Sequence, residues 1–238
     1  MKVSLFSTCL SDILYADVSK HTLELLERFG CTVDYPMGQT CCGQPAYNSG
    51  YLQEAKKSMK QMMKAFRQSE YIVGPSGSCI SMLKEYPHVF VGDPEWEQEA
   101  KTFASKCYEI TEFLVDVLKV TDVGSTFKGK VTFHSSCHMK RLLGVKEQPK
   151  ILLNNVEGVE LVNLPYEEDC CGFGGTFAVK NAAISQEMVS EKSRHVSETE
   201  AEYLVGADMG CLMNIGGRMK REGKNVKVVH ITEILNTH

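Results

Sequence analysis

Adjacent cysteines followed by glycine occur twice in this chain, as Cys41-Cys42-Gly43 and Cys170-Cys171-Gly172. Each pair stands between two single cysteines: Cys9 and Cys79 around the first, Cys137 and Cys211 around the second. The two sets are offset by about 130 residues, and their surroundings repeat with them. Lys2-Val3-Ser4-Leu5-Phe6-Ser7-Thr8-Cys9 reads against Lys130-Val131-Thr132-Phe133-His134-Ser135-Ser136-Cys137. Tyr71-Ile72-Val73-Gly74 likewise reads against Tyr203-Leu204-Val205-Gly206, each five residues before a single cysteine. A duplication of this kind restricts the chain to two related units, and its most regular feature is thiol placement. The pattern reads as two copies of one metal-binding unit, 1–124 and 125–238.

The 238 residues supply ample material for a core, and 43% hydrophobic with 24% charged content is ordinary for a soluble globular protein. A formal net charge of −4 argues against general nucleic-acid binding, which needs a basic surface to hold phosphates. No apolar run is long enough to span a bilayer. Met1–Leu10 is not a secretory signal, being broken by Ser4, Ser7 and Thr8. The expected location is the cytoplasm. There, structural disulfides are disfavoured, so a chain with ten cysteines is expected to hold metal or do redox chemistry. Cys31 and Cys107 fall outside the repeat and read as small buried hydrophobes, Cys107 on a helical stripe with Phe103, Ala104, Ile110 and Leu114.

The pattern along the chain alternates strands with helices. Strands are expected at 2–8, 31–35, 71–74, 130–135, 159–164, 203–206 and 226–230, with helices at 10–29, 51–68, 96–106, 182–201 and 232–235. The second of these helices carries Leu52, Ala55, Met59, Met62, Met63 and Phe66 as a core stripe, and the third extends toward Val120 after a break. Residues 121–129 read as the linker, 44–50 as a loop, and Pro149 as an interruption in a helical region. The fold class is α/β: two pseudo-symmetric lobes, each a mostly parallel sheet with flanking helices. In such sheets ligands gather beyond the carboxyl ends of the strands, where every patterned cysteine falls.

Four thiolates can bind zinc tetrahedrally or hold an iron–sulfur cluster. Structural zinc sites draw ligands from two closely spaced pairs, whereas here they come from three strand ends and one pair has no spacer. Neighbouring residues do not easily aim both thiolates at one small ion, but can reach different irons of a larger cluster. Gly43 and Gly172 let the backbone approach such a group and donate N–H bonds, and Gly174 and Gly175 extend this at the second site. A zinc-stabilised scaffold without redox chemistry and a vicinal-thiol thiol–disulfide oxidoreductase remain the alternatives.

Taken together, these residues resemble the duplicated cysteine-rich "CCG" domain of the heterodisulfide reductase B subunit and of glycolate oxidase iron–sulfur subunits. The resemblance covers the whole chain. It implies a cytoplasmic subunit of a three-protein system oxidising L-lactate to pyruvate, partnered by a second iron–sulfur protein and a third small protein. It also implies one [4Fe-4S] cluster per repeat, on Cys9, Cys41, Cys42 and Cys79 and on Cys137, Cys170, Cys171 and Cys211. The best-understood relatives use five cysteines for a noncubane cluster, the last two as Cys-x-x-Cys. Here Ser76 and Asp208 stand three residues before Cys79 and Cys211.

His134 and His138 flank Cys137, and nothing equivalent flanks Cys9. They are candidate catalytic residues, as proton donors or substrate contacts, against the plainer reading of packing and hydrogen bonding. The basic runs at Lys140-Arg141 and at Arg218, Lys220 and Arg221 could meet a partner or a carboxylate, but such runs are more often solvated surface. No G-x-G-x-x-G follows a strand, there is no P-loop, and no ferredoxin-like C-x2-C-x2-C run is present. Electrons would have to leave through another polypeptide, which suits a subunit.

Overall fold

The computed structural model describes residues 1–238, and the chain divides into two compact units, Met1–Phe113 and Leu114–His238. The first runs β1 (Lys2–Leu5), α1 (Cys9–Ile13), α2 (Ala16–Arg28), β2 (Thr32–Asp34), α3 (Gln44–Asn48), α4 (Leu52–Ala65), β3 (Tyr71–Gly74), α5 (Gly77–Val89), α6 (Glu97–Ala104), β4 (Cys107–Glu109) and α7 (Ile110–Glu112). The second runs β5 (Thr126–His134), α8 (Gln148–Asn154), β6 (Glu157–Val162), α9 (Phe177–Lys180), α10 (Ala182–Glu198), β7 (Tyr203–Gly206), α11 (Met209–Arg221), β8 (Lys227–His230) and α12 (Ile231–Leu235). No helix is long and apolar enough to cross a membrane.

Each unit is built on a four-stranded parallel sheet, in the order β2-β1-β3-β4 and β6-β5-β7-β8. The expected two-lobed α/β architecture is therefore present. The registers match: Leu5 lies beside Val73 in one sheet and Phe133 beside Val205 in the other. Strand order reverses around β1 and β5, so the crevice at each sheet's carboxyl edge opens where Cys9 and Cys79, or Cys137 and Cys211, leave the strands. Both sheets end alike as well. Glu109 at the end of β4 and His230 at the end of β8 each cap the next helix through a reciprocal pair of side-chain and backbone bonds.

The helix faces follow the periodicity in most places. On α4, Ala55, Met59, Met62 and Met63 are buried, as is Phe66 just beyond its end, but Leu52 is exposed. The expected helix over 10–29 is two, because the chain breaks at Leu14-Tyr15, and this turns Ile13 and Leu14 outward. Residues 44–50 form the short α3 with Pro45 in its first turn. Pro149 starts α8 instead of interrupting a helix, as a residue without an N–H suits a first turn. Cys107 lies on strand β4, fully buried, and not on a helical stripe; Cys31 is buried too. The expected linker is shorter than 121–129, since β5 already begins at Thr126. Helices α5 and α11, which carry Cys79 and Cys211, were not legible from the periodicity.

Candidate metal centre

Each single cysteine leaves its strand at the start of a helix. Cys79 sits in the first turn of α5, capped by Ser76, whose side chain accepts from the Cys79 amide. Cys211 sits in the first turn of α11, capped by Asp208, which accepts from the Gly210 amide at 3.2 Å. The residues standing where relatives carry a fifth cysteine are thus helix caps, for which Ser and Asp are well suited. The partial positive charge of a helix N-terminus favours the thiolate form of a cysteine placed there.

The Cys-Cys pairs are carried on loops pinned from both sides. In the first unit Ser58 of α4 donates to the Cys41 carbonyl at 2.6 Å, and the Tyr86 hydroxyl of α5 donates to the Cys42 carbonyl at 2.9 Å. In the second, Ser185 of α10 donates to the Gly172 carbonyl and Asn214 of α11 to the Cys171 carbonyl, both at 2.8 Å. Gly43 and Gly172 take left-handed φ values of 88° and 78°. At Gly172 a side chain is excluded twice over, because a Cβ would lie 2.7 Å from the Ser185 carbonyl oxygen.

The result is convergence of four sulfurs in each unit. Cys41 exchanges hydrogen bonds with Cys42 and Cys9, and Cys42 with Cys79. Cys170 bonds with Cys137 and Cys171, and Cys171 with Cys211. All are free thiols. Cys42, Cys171 and Cys211 are buried, while Cys9, Cys41, Cys79, Cys137 and Cys170 are half-buried, so each site is closed at its base and open at its rim. Crowding sets the charge. Cys41 is drawn well below the ordinary thiol range by hydrogen bonds from Cys42 and Cys9, with help from the Gly43 amide. Cys170 is drawn down by Cys137, then Cys171, then the Gly172 amide, which donates to its Sγ at 3.4 Å. Their neighbours move the other way: Cys9 and Cys42 rise through the bond to Cys41 and through burial, and Cys137 and Cys171 rise likewise around Cys170. Cys211 is bonded to Cys171, which lowers it, but burial and the charges of Asp208 and Cys170 outweigh that bond.

The two histidines part company. His138 is half-buried, with Nδ1 3.5 Å from Cys137 Sγ. His134, at the end of β5, is 1% exposed, and neither ring nitrogen has a hydrogen-bond partner. Burial, then the charge of Lys192, lowers it to about 3, so it stays neutral. Lys192 is a residue the sequence reading passed over. Only 1% exposed on α10, it donates to the Tyr166 carbonyl at 2.6 Å, and burial lowers its pKa against the pull of Asp169, Cys171 and Cys170. A signal was available. The Ala55 carbonyl faces Gly43 as the Ser185 carbonyl faces Gly172, and α4 begins at Leu52 as α10 does at Ala182, which sets Lys192 where the first unit has Met62. His195 then stands where the first unit has Ala65.

The basic runs are partly engaged elsewhere. Lys140 pairs with Glu168 at 2.9 Å, and Arg141 donates to the Glu168 carbonyl at 2.6 Å, tying down the loop that leads to Cys170. Arg218 pairs with Glu222 at 2.5 Å. Gly174 and Gly175 both have positive φ, in the turn that leads to α9.

A family model described as "Cysteine-rich domain" (CCG) matches the chain twice, at residues 3–84 and 131–216. The chain is 75% identical over 238 residues to lactate utilization protein A of Oceanobacillus iheyensis, covering 100% of this chain and 98% of that protein. It is 64% identical over 236 residues to the protein of the same name from Geobacillus kaustophilus, covering 99% of each. Against that from Bacillus subtilis it is 60% identical over 237 residues, covering 100% of each. Two matched cysteine-rich domains and full-length likeness to these relatives place the chain in the duplicated CCG family, among the lactate utilization A proteins.

Proposed function

We infer that this chain is an iron–sulfur electron-transfer subunit of a multi-protein system that oxidises L-lactate to pyruvate. The observation that supports this most is the twofold convergence of four cysteines at a sheet's carboxyl edge, where crowding draws Cys41 and Cys170 down toward the thiolate form. Thiolate is the form that binds metal, and four sulfurs drawn from three strand ends suit a cluster. Cys9, Cys41, Cys42 and Cys79 would hold one [4Fe-4S] cluster, and Cys137, Cys170, Cys171 and Cys211 the other. A bound cluster supplies a one-electron carrier. The amides of Gly43 and Gly172, aimed at Cys41 and Cys170, favour the more negative state of whatever these sulfurs bind. Gly174 and Gly175 are candidates for further backbone donors. His138, half-buried beside Cys137, is the residue placed to hold a proton near the second rim.

The chain's partners in this reading are a second iron–sulfur protein and a third small protein of the lactate-utilization system, in the cytoplasm. Exposed apolar side chains stand within eight residues of a patterned cysteine in both units, including Ile13 and Met37 in the first and Leu142 and Val179 in the second. Surfaces of this kind suit a docked protein. A strain lacking the gene tests the role. The wild-type chain should restore growth on L-lactate, and Cys42→Ser or Cys171→Ser should fail on L-lactate while growing normally on pyruvate. Restoration by both serine variants would overturn the reading.

A further inference from the structure

We propose that His134 is a nitrogen ligand of the group held in the second unit, which gives that centre a mixed thiolate–imidazole donor set where the first has thiolates alone. The inference rests on the iron–sulfur reading above and goes beyond it. One ligand nitrogen of His134 and the sulfurs of Cys171 and Cys211 all lie within 4.8 Å of one another, and all three residues are buried. Imidazole and thiolate bind iron or zinc at about 2.0–2.3 Å, so a small rotation brings all three onto one ion.

The second observation is what His134 lacks. Both ring nitrogens are buried without a hydrogen-bond partner. Leaving a buried polar group unsatisfied costs about 1–3 kcal/mol, and the fold does not require that cost. Phe6 occupies the same place in the first unit: its carbonyl faces Gly74 as that of His134 faces Gly206. Phe6 is fully buried, and its ring meets Phe66 edge-on at 6.2 Å. A phenyl ring therefore fills this position on the same architecture. An imidazole there gains nothing from packing and supplies one thing a phenyl lacks, a lone pair aimed at the thiols. Ser136 lies against Cys211 on the same wall, where the first unit has the hydroxyl of Thr8, so the imidazole is what distinguishes the second site.

The chemical consequence is inequivalence. An imidazole nitrogen makes the second centre's donor set differ from the first's, and ligand identity is one of the factors that set a cluster's reduction potential. The two centres should therefore differ in reduction potential.

The test uses the full-length chain, purified without oxygen and poised in its paramagnetic state, from cells fed either ordinary or nitrogen-15 histidine. Pulsed electron paramagnetic resonance should show a strongly coupled nitrogen whose frequency changes with the isotope, a readout that needs no substitution. His134→Phe, which installs the first unit's own residue, should abolish that coupling and shift the potential of one centre only. His138→Gln should leave it intact. Clusters present in both units with an isotope-insensitive spectrum would overturn this inference and leave the iron–sulfur reading standing. Coupling lost with His138→Gln and kept with His134→Phe would overturn it as well. A chain without iron and sulfide would sink both.

Discussion

Glu109 and His230 solve one structural problem with different chemistry, and the difference has a pH signature. Glu109 is fully buried, accepts from the Thr111 and Glu112 amides and the Thr111 hydroxyl, and has its pKa raised to about 7, mainly by burial. A carboxyl raised in the folded state stabilises the fold fully below its unfolded pKa of about 4.3, and that contribution is lost as pH rises through about 7. The stake is on the order of 3 kcal/mol. Glu109→Gln keeps an oxygen to cap the helix and removes the titration. In urea melts, the stability of the variant relative to wild type should grow between pH 5 and pH 8; a constant difference would contradict the assignment. The cysteines were legible in the sequence because their spacing repeats. The isolation of His134 was not, because burial and the lack of a hydrogen-bond partner are properties of the packed chain.

The loop after each cysteine pair is shaped by the helix that follows it. Helix α10 presses its Ser185 carbonyl against Gly172, whereas α4 meets Gly43 with the flexible side chain of Met59 at 3.4 Å. Alanine at either position must adopt a left-handed backbone, at about 1–2 kcal/mol. At Gly172 the helix backbone must also shift, so Gly172→Ala should lose about 2–4 kcal/mol in denaturant melts and Gly43→Ala roughly half as much. Equal losses would show that α10 does not set the loop. Strand and long-helix periodicity predicted most elements here. The two helices that carry Cys79 and Cys211 stayed hidden because their composition opposes the signal. Gly77 and Pro87 lie in α5, and Gly210, Gly216 and Gly217 in α11, all weak helix formers retained by tertiary packing. Gly210 and Gly216 show why they stay: a Cβ there would meet Phe173 at 2.7 Å or Val228 at 2.8 Å. Cys107 was misplaced for the opposite reason. Its apolar neighbours match a helical stripe, yet a three-residue edge strand interrupts them.

The duplication gives the molecule two units with the same sheet order, the same caps and the same four sulfurs, but different walls behind them. Where the first unit has Phe6 and Met62, the second has His134 and Lys192, all buried. A scaffold that only needed metal for stability would have no use for that contrast, since buried ionisable groups cost free energy. Iron, zinc and acid-labile sulfide measured on the anaerobically purified full chain, beside its Cys42→Ser and Cys171→Ser variants, test the central claim most directly. The account predicts iron and sulfide in nearly equal amounts, with about half lost in either variant and a single class of centre remaining. Zinc bound in proportion to protein without sulfide, or a metal-free chain with reactive vicinal thiols, would contradict it.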